Sequence, residues 1–331
     1  MAMTPPATAP DFLARHGWDG AAILPLAGDA SFRRYFRVRH DTHGDAVLMD
    51  APPAHEDVRP FIAIAEHLDE NGLRAPRILA RDLDEGLLLL EDFGNDRVGP
   101  ALAQGKADER ATYKAAIDSL IELHKAPLPR EIAPYSEEAL TREVALFPDW
   151  YAPATQLPPF DPDTYYDAWQ RAWPGLLERT EANPVLTLRD YHADNLMILE
   201  EGGLGLLDFQ DALAGHPAYD LVSLLQDARR DVSPALEREM LDYFMDRSEV
   251  ENPATFEADY QLLGAQRNVK ILGIFTRLWK RDGKPHYLDL QPRVWGLVER
   301  NFAHPATKPV ADWFAAHVPA EKRASFWEQA R

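Results

Sequence analysis

Asp190, Asn195 and Asp208 are two carboxylic acids and an amide set around a short apolar hairpin, and together they could handle a proton and a hard cation. The stretch 188–210, LRDYHADNLMILEEGGLGLLDFQ, holds two apolar runs, 196–199 and 204–207, separated by Glu201, Gly202 and Gly203. Short apolar runs around a glycine turn predict a β-hairpin. Antiparallel pairing would bring Asn195, before the first strand, beside Asp208, after the second. Opposed residues in such a ladder sit roughly 4.5 to 5.5 Å apart, so an amide oxygen and a carboxylate can hold one cation between them. Asp190, on the incoming loop, is placed to address whatever that cation holds.

Asp190, Asn195 five residues further on, and Asp208-Phe209 after a hairpin resemble the catalytic arrangement of kinase-type phosphoryl transfer. There a loop Asp orients the acceptor hydroxyl while an Asn and a second Asp hold Mg²⁺ on the phosphates. Isolated Asp and Asn residues at this spacing are usually ordinary loop residues; the hairpin and the Asp-Phe dipeptide in register favour the functional assignment.

These residues sit in a chain of 331 residues, 46% hydrophobic, which suits a soluble globular protein of two lobes. No apolar run approaches the ~20 residues that span a bilayer. The start, MAMTPPATAP, reads as a frayed tail and not as a signal peptide. The absence of cysteine excludes disulfides and thiolate metal sites and fits a cytoplasmic location. A net charge of −19 argues against a nucleic-acid partner, since phosphate backbones are bound by clustered Lys and Arg. The same charge would repel a phosphorylated ligand at a distance, so nucleotide binding needs local basic residues and Mg²⁺.

The elements that must position the site follow in chain order. Residues 24–39, LPLAGDASFRRYFRVR, predict a hairpin whose tip carries Gly28, Asp29, Ala30 and Ser31, able to lie over phosphates with its backbone N–H groups. The alternative is an edge hairpin with solvated arginines. Arg33 and Arg34, nearest the tip, are the candidates for touching a triphosphate. Residues 46–49 predict the next strand, 59–70 a helix ended by Asn71-Gly72, and 77–80 and 87–90 two more strands. After 91–94 the pattern turns helical: 108–123, 136–150, 163–180, 222–228, 233–244, 253–280 and 291–302. His124 is explained by the helix dipole at a C-terminus, and Asp220 by anchoring the catalytic loop. Most of Trp150, Tyr151, Tyr165, Tyr166, Trp169 and Trp173 are assigned to the core, with one or two left as candidates to stack on a sugar ring.

With LRDYHADN at 188–195, LLDFQDALAGHPAYDL at 206–221 and LLLLEDFG at 87–94, the chain resembles the aminoglycoside phosphotransferase and choline kinase-like family, over most of its length. The resemblance implies an α+β, bilobal protein-kinase-like fold, with a β-rich nucleotide-binding lobe over 1–92 and a mainly helical catalytic and substrate-binding lobe over 93–331. It implies Asp190 as catalytic base, Asn195 and Asp208 as Mg²⁺ ligands, and Leu90, Glu91, Asp92 and Phe93 as the adenine hinge. Ser31, Arg33, Arg34 and Glu66 would complete the ATP site. The family often has His-Gly before the loop Asp, where this chain has Leu188-Arg189.

One departure concerns the strand at 46–49, where kinases carry a lysine that pairs the phosphates with a helix Glu; here Met49 takes that place. An arginine of the preceding hairpin could supply the charge, since its planar fork binds phosphate bidentately. Glu66 would either meet that arginine or stand exposed.

Within the family, GDASFRRYFR at 28–37 and MDAPP at 49–53 resemble a branch of bacterial amino-sugar kinases that phosphorylate N-acetylmuramate and N-acetylglucosamine at the anomeric hydroxyl in cell-wall recycling. That implies a small-molecule amino-sugar substrate; separately, a monomer is expected. An acceptor with an anionic lactyl group would need a cation, and Arg267, Lys270, Arg277 and Lys280 are the options. The rivals are an aminoglycoside, choline or protein hydroxyl as acceptor, which the acidic charge keeps open, and a nucleotide-binding module without catalysis, which Met49 suggests.

Overall fold

The computed structural model describes residues 3–26 and 32–329. The tip residues Gly28, Asp29, Ala30 and Ser31, expected over phosphates, lie outside the described residues. The chain forms two compact units, one of residues 1–107 with 194–212, the other of 108–193 with 213–331.

The first unit is built on an antiparallel five-stranded sheet. Its strands are β1 (Ala22–Pro25), β2 (Arg34–His40), β3 (Gly44–Asp50), β4 (Ile78–Asp82) and β5 (Leu87–Glu91), in the order β1-β2-β3-β5-β4. Alternation along the strands puts Phe36 and Val38, Ala46 and Leu48, and Leu87 and Leu89 on one face. There they share a core with Phe12 and Leu13 of the helix Ala9–Arg15 and with Trp18. Met49, Leu88 and Leu90 point the other way and are also buried. Both faces of β5 are therefore covered, which is why it reads as an unbroken leucine run.

The second half of this unit is the hairpin of β7 (Leu196–Ile198) and β8 (Leu204–Leu206), registered Leu196 to Leu206 and Met197 to Gly205. Gly202 and Gly203 make the turn with φ of 92° and 81°, left-handed values that suit glycine. A lobe boundary at residue 92 does not describe this unit. Leu206 N–H donates to Arg74 O at 2.7 Å and Ile198 N–H to Asp96 O at 2.8 Å. Arg74 also pairs with Glu201 at 2.8 Å. These backbone bonds make the hairpin part of the N-terminal unit, along with residues 93–107.

The other unit is mostly helical and is organised around the helix Pro253–Lys280, buried along most of its length. Asp108 caps the helix Glu109–Lys125 by accepting from Ala111 N, and Ser136 caps Glu137–Val144 by accepting from Ala139 N. The single helix expected over 163–180 is two, Pro162–Ala172 and Pro174–Ala182, because a proline inside a helix removes a hydrogen bond and clashes with the preceding turn. The helix expected at 222–228 runs Ala218–Leu225. Sequence periodicity did not reveal β6 (Val185–Thr187) and its partner β9 (Leu213–Gly215), whose antiparallel pairing brackets the segment that carries Asp190. Tyr151, Tyr165, Trp169 and Trp173 are fully buried, and the Tyr151 hydroxyl accepts from Trp295 and Trp327. All four belong to the core.

Candidate active site

Asn195 ends the short 3₁₀ turn Ala193–Asn195 before β7, and Asp208 follows β8 by two residues. The hairpin closes between them: Leu207 N–H donates to Asn195 O at 2.9 Å, and Asn195 Nδ2 lies 3.4 Å from Asp208 Oδ2. Asp208 has a left-handed backbone, φ 57°, a conformation that Asp tolerates better than most residues.

The Asp208 carboxylate has a resident counter-charge. Arg33 Nη2 lies 3.1 Å from its Oδ1, and Gln210 Nε2 donates to the same oxygen at 3.1 Å. Burial works against the charge of Arg33, but Tyr35 and the carboxylates of Asp208, Glu56 and Asp211 outweigh it and raise its pKa. With the Asn195 amide turned to present Oδ1 in place of Nδ2, an amide oxygen and a carboxylate oxygen suit a hard divalent ion, which in phosphoryl-transfer sites typically takes one or two carboxylates and fills the remainder with water and phosphate. A guanidinium held against Asp208 is what a carboxylate site for a cation would attract. The donor set therefore fits Mg²⁺. Among the described residues no group of three or more His, Asp or Glu side chains could hold a metal by itself.

The other sequence-nominated residues of this unit are occupied differently. Arg34 Nε binds Asp50 Oδ2 at 2.7 Å and its Nη1 reaches Thr4 O. Glu66 pairs instead with Arg81 at 3.2 Å, both half-exposed, so it does not meet an arginine of the β1–β2 hairpin. The exposed alternative is the one realised. Met49 is fully buried, registered between Tyr35 of β2 and Leu88 of β5.

Along the expected hinge, Leu90 is buried in the sheet and Glu91 pairs with Arg74 and Arg77. The Asp92 carboxylate takes Arg37 bidentately at 2.6 and 3.1 Å. Phe93 lies against Gly205, where an added Cβ would fall 2.6 Å from its ring. The side chains at 91–93 are thus committed within the unit.

Asp190 belongs to the helical unit, on the loop after β6. Asp220, 1% exposed, accepts from Leu188 N at 2.6 Å and Arg189 N at 2.7 Å. It anchors the loop, not the N-terminus of its own helix. Burial raises its pKa to about 7, against the opposing pull of those two hydrogen bonds. The Asp190 side chain is 46% exposed, and Arg267 Nη2 lies 3.9 Å from its Oδ1. Desolvation pushes the Asp190 pKa up, but Lys270, Arg267 and Arg189 together hold it below the ordinary value, so the group is an ionised acceptor.

Of the four cations named for an anionic acceptor group, Lys270 and Arg267 are not equivalent. Lys270 Nζ is bound to Glu143 Oε1 at 2.8 Å and lies 3.4 Å from the Tyr219 hydroxyl. Arg267 has a side chain only 4% exposed, and its Nη1 has no hydrogen-bond partner among the described residues. Glu143, buried beneath this cluster, was not found from sequence; it lies in an ordinary amphipathic helix with no local pattern to mark it. His124 and His192 are both held near a pKa of about 3, by burial first, and are neutral.

The family model described as the phosphotransferase enzyme family matches residues 22–253. A Caulobacter vibrioides protein named N-acetylmuramate/N-acetylglucosamine kinase is 38% identical, the match covering 94% of this chain and 96% of that protein. A Pseudomonas aeruginosa protein of the same name is also 38% identical, covering 88% of this chain and 87% of its own. Among solved structures, an aminoglycoside phosphotransferase of Streptomyces rimosus in complex with ADP and streptomycin superposes with a TM-score of 0.54 at 18% identity. That match covers 78% of this chain and 98% of the other, and it shows the shared α+β kinase-like fold. By its motifs, its fold and a match spanning most of its length, the chain belongs to the phosphotransferase enzyme family.

Proposed function

We propose that this protein is an ATP- and Mg²⁺-dependent kinase that phosphorylates the anomeric hydroxyl of N-acetylmuramate and N-acetylglucosamine, serving cell-wall recycling in the cytoplasm. The observation that carries the chemistry is the closure of Asn195 onto Asp208 at the mouth of the β7–β8 hairpin. The acceptor class is supported by relatives at 35 to 38% identity that bear that name. Use of ATP is supported by the ADP bound to the Streptomyces rimosus protein.

Asn195 and Asp208 would hold the ion. When bound, Mg²⁺ supplies charge neutralisation on the phosphates. Asp190 accepts the hydrogen bond of the acceptor hydroxyl and fixes its direction of attack. A hemiacetal hydroxyl is more acidic than an ordinary alcohol, so an ionised carboxylate with a lowered pKa suffices as its partner. Arg267 is the cation for the lactyl carboxylate or for charge gathering near the acceptor, since Lys270 is already neutralised by Glu143. Most of the rate then comes from positioning and electrostatics.

Incubation with ATP, Mg²⁺ and a panel of N-acetylmuramate, N-acetylglucosamine, streptomycin and choline tests this. The expected product is an acid-labile sugar phosphate with no reducing end. Phosphate transfer to streptomycin or choline alone would reassign the acceptor. Nucleotide binding with no transfer to any of them would make the chain a binding module.

A further inference from the structure

Glu143 is a carboxylate, 7% exposed, that accepts from four groups: the Tyr135 hydroxyl, the Arg189 guanidinium, Gln266 Nε2 at 2.9 Å and Lys270 Nζ at 2.8 Å. Its donors come from the loop before its own helix, from the Asp190 loop and from the helix Pro253–Lys280. A buried charge is tolerated only where such partners satisfy it. Lys270 and Arg189, more than offsetting burial, keep its pKa near about 2.

Arg189 immediately precedes the candidate base and has φ 72°, a left-handed conformation uncommon for a long side chain. Such a backbone persists where its surroundings over-determine it. Asp220 holds the N–H groups of Leu188 and Arg189 from one side, and Glu143 holds the Arg189 guanidinium from the other. The next peptide is tight as well: Asp190 N–H donates to Leu188 O at 2.9 Å, and His192 N–H to Asp190 O at 3.0 Å. The direction in which the Asp190 side chain leaves the loop follows from where Arg189 is pinned.

We infer that Glu143 is a positioning residue for phosphoryl transfer: through Arg189 it sets the geometry of the Asp190 loop. This rests on Asp190 being the base.

The test compares wild type with Glu143→Gln, Arg189→Met, the double variant and Asp190→Asn, measuring kcat and both KM values with the sugar acceptor, together with Tm. Glu143→Gln should lower kcat at least tenfold with the ATP KM within twofold of wild type, and Glu143→Asp should recover part of that loss. Arg189→Met should behave similarly, and the double variant should be no slower than the slower single variant, as expected of residues that act as a unit. Wild-type kcat in Glu143→Gln, single-variant losses that multiply, or a change confined to the ATP KM would overturn the inference. If Glu143→Gln does not fold, Arg189→Met and Arg189→Lys decide by the same kcat and KM criteria. Wild-type turnover in Asp190→Asn overturns the base assignment itself. An inactive Asp190→Asn beside a fully active Glu143→Gln overturns the role of Glu143 alone.

Discussion

Arg33 Nη2 sits 3.1 Å from Asp208 Oδ1, so the carboxylate expected to bind a metal ion is paired with a cation of the chain itself, 175 residues away in sequence. A metal ion bound there would compete with this guanidinium for one oxygen.

Replacing Arg33 by Gln should therefore tighten binding of Mn²⁺, measured without nucleotide by titration calorimetry. A charge-assisted hydrogen bond of about 1.5 kcal/mol corresponds to roughly a tenfold change in Kd. If Arg33 also reaches the phosphates once displaced, the ATP KM of the variant should rise. An unchanged Mn²⁺ Kd would show that the pair does not control the site.

The ionisation of Asp190 predicts the shape of the rate profile. Its carboxyl titrates below its ordinary range because Lys270 and Arg267 outweigh its desolvation, and His192 is neutral near a pKa of about 3. The kcat/KM profile should accordingly show no limb from either group between pH 5 and 8. Lys270→Met removes the largest cationic influence and should move the acid limb upward. A limb near pH 6.5 in the wild type that vanishes in His192→Gln would contradict both assignments.

Asp220 gives the opposite sign in a stability measurement. Its folded pKa is raised to about 7 from 3.8, so between those values the native state binds more protons than the unfolded chain. Its contribution is fully present below the unfolded value and is lost as pH rises toward 7. The wild type should lose Tm between pH 5 and 7 more steeply than Asp220→Asn. Asp220→Ala should cost about 2 to 3 kcal/mol at pH 5 and less as pH rises toward 7, because it strands the N–H groups of Leu188 and Arg189. Parallel Tm curves for wild type and Asp220→Asn would rule out titration of this group.

Gly205 should not tolerate a side chain. An added Cβ would lie 2.6 Å from the Phe93 ring and 3.1 Å from Leu199, so Gly205→Ala should destabilise the N-terminal unit by about 1 to 3 kcal/mol. Denaturant unfolding would measure this, and Phe93→Leu in the same background should recover part of the loss.

The local grammar of this chain was legible where neighbours in sequence are neighbours in space. The β7–β8 hairpin announces itself by two apolar runs and a Gly-Gly turn, and its register brings Asn195 to Asp208 without help from elsewhere. The β1–β2 hairpin, the strands β3 to β5 and the helix Pro253–Lys280 follow from period-2 and period-3.6 patterns in the same way. Family membership followed from the same short motifs, because kinase chemistry demands those residue types at that spacing.

Tertiary structure alone decided which charges meet. Arg33 and Arg34 are adjacent and alike in sequence, yet Arg33, just before β2, reaches Asp208, and Arg34, its first residue, reaches Asp50. Glu66 went to Arg81, and Lys270 to Glu143, 127 residues away. The pairing of β6 with β9, and the buried carboxylates that hold the Asp190 loop, likewise join segments far apart in the chain. Periodicity tells a residue whether to face the core, but an ion pair depends on the three-dimensional approach of two side chains and leaves no period behind.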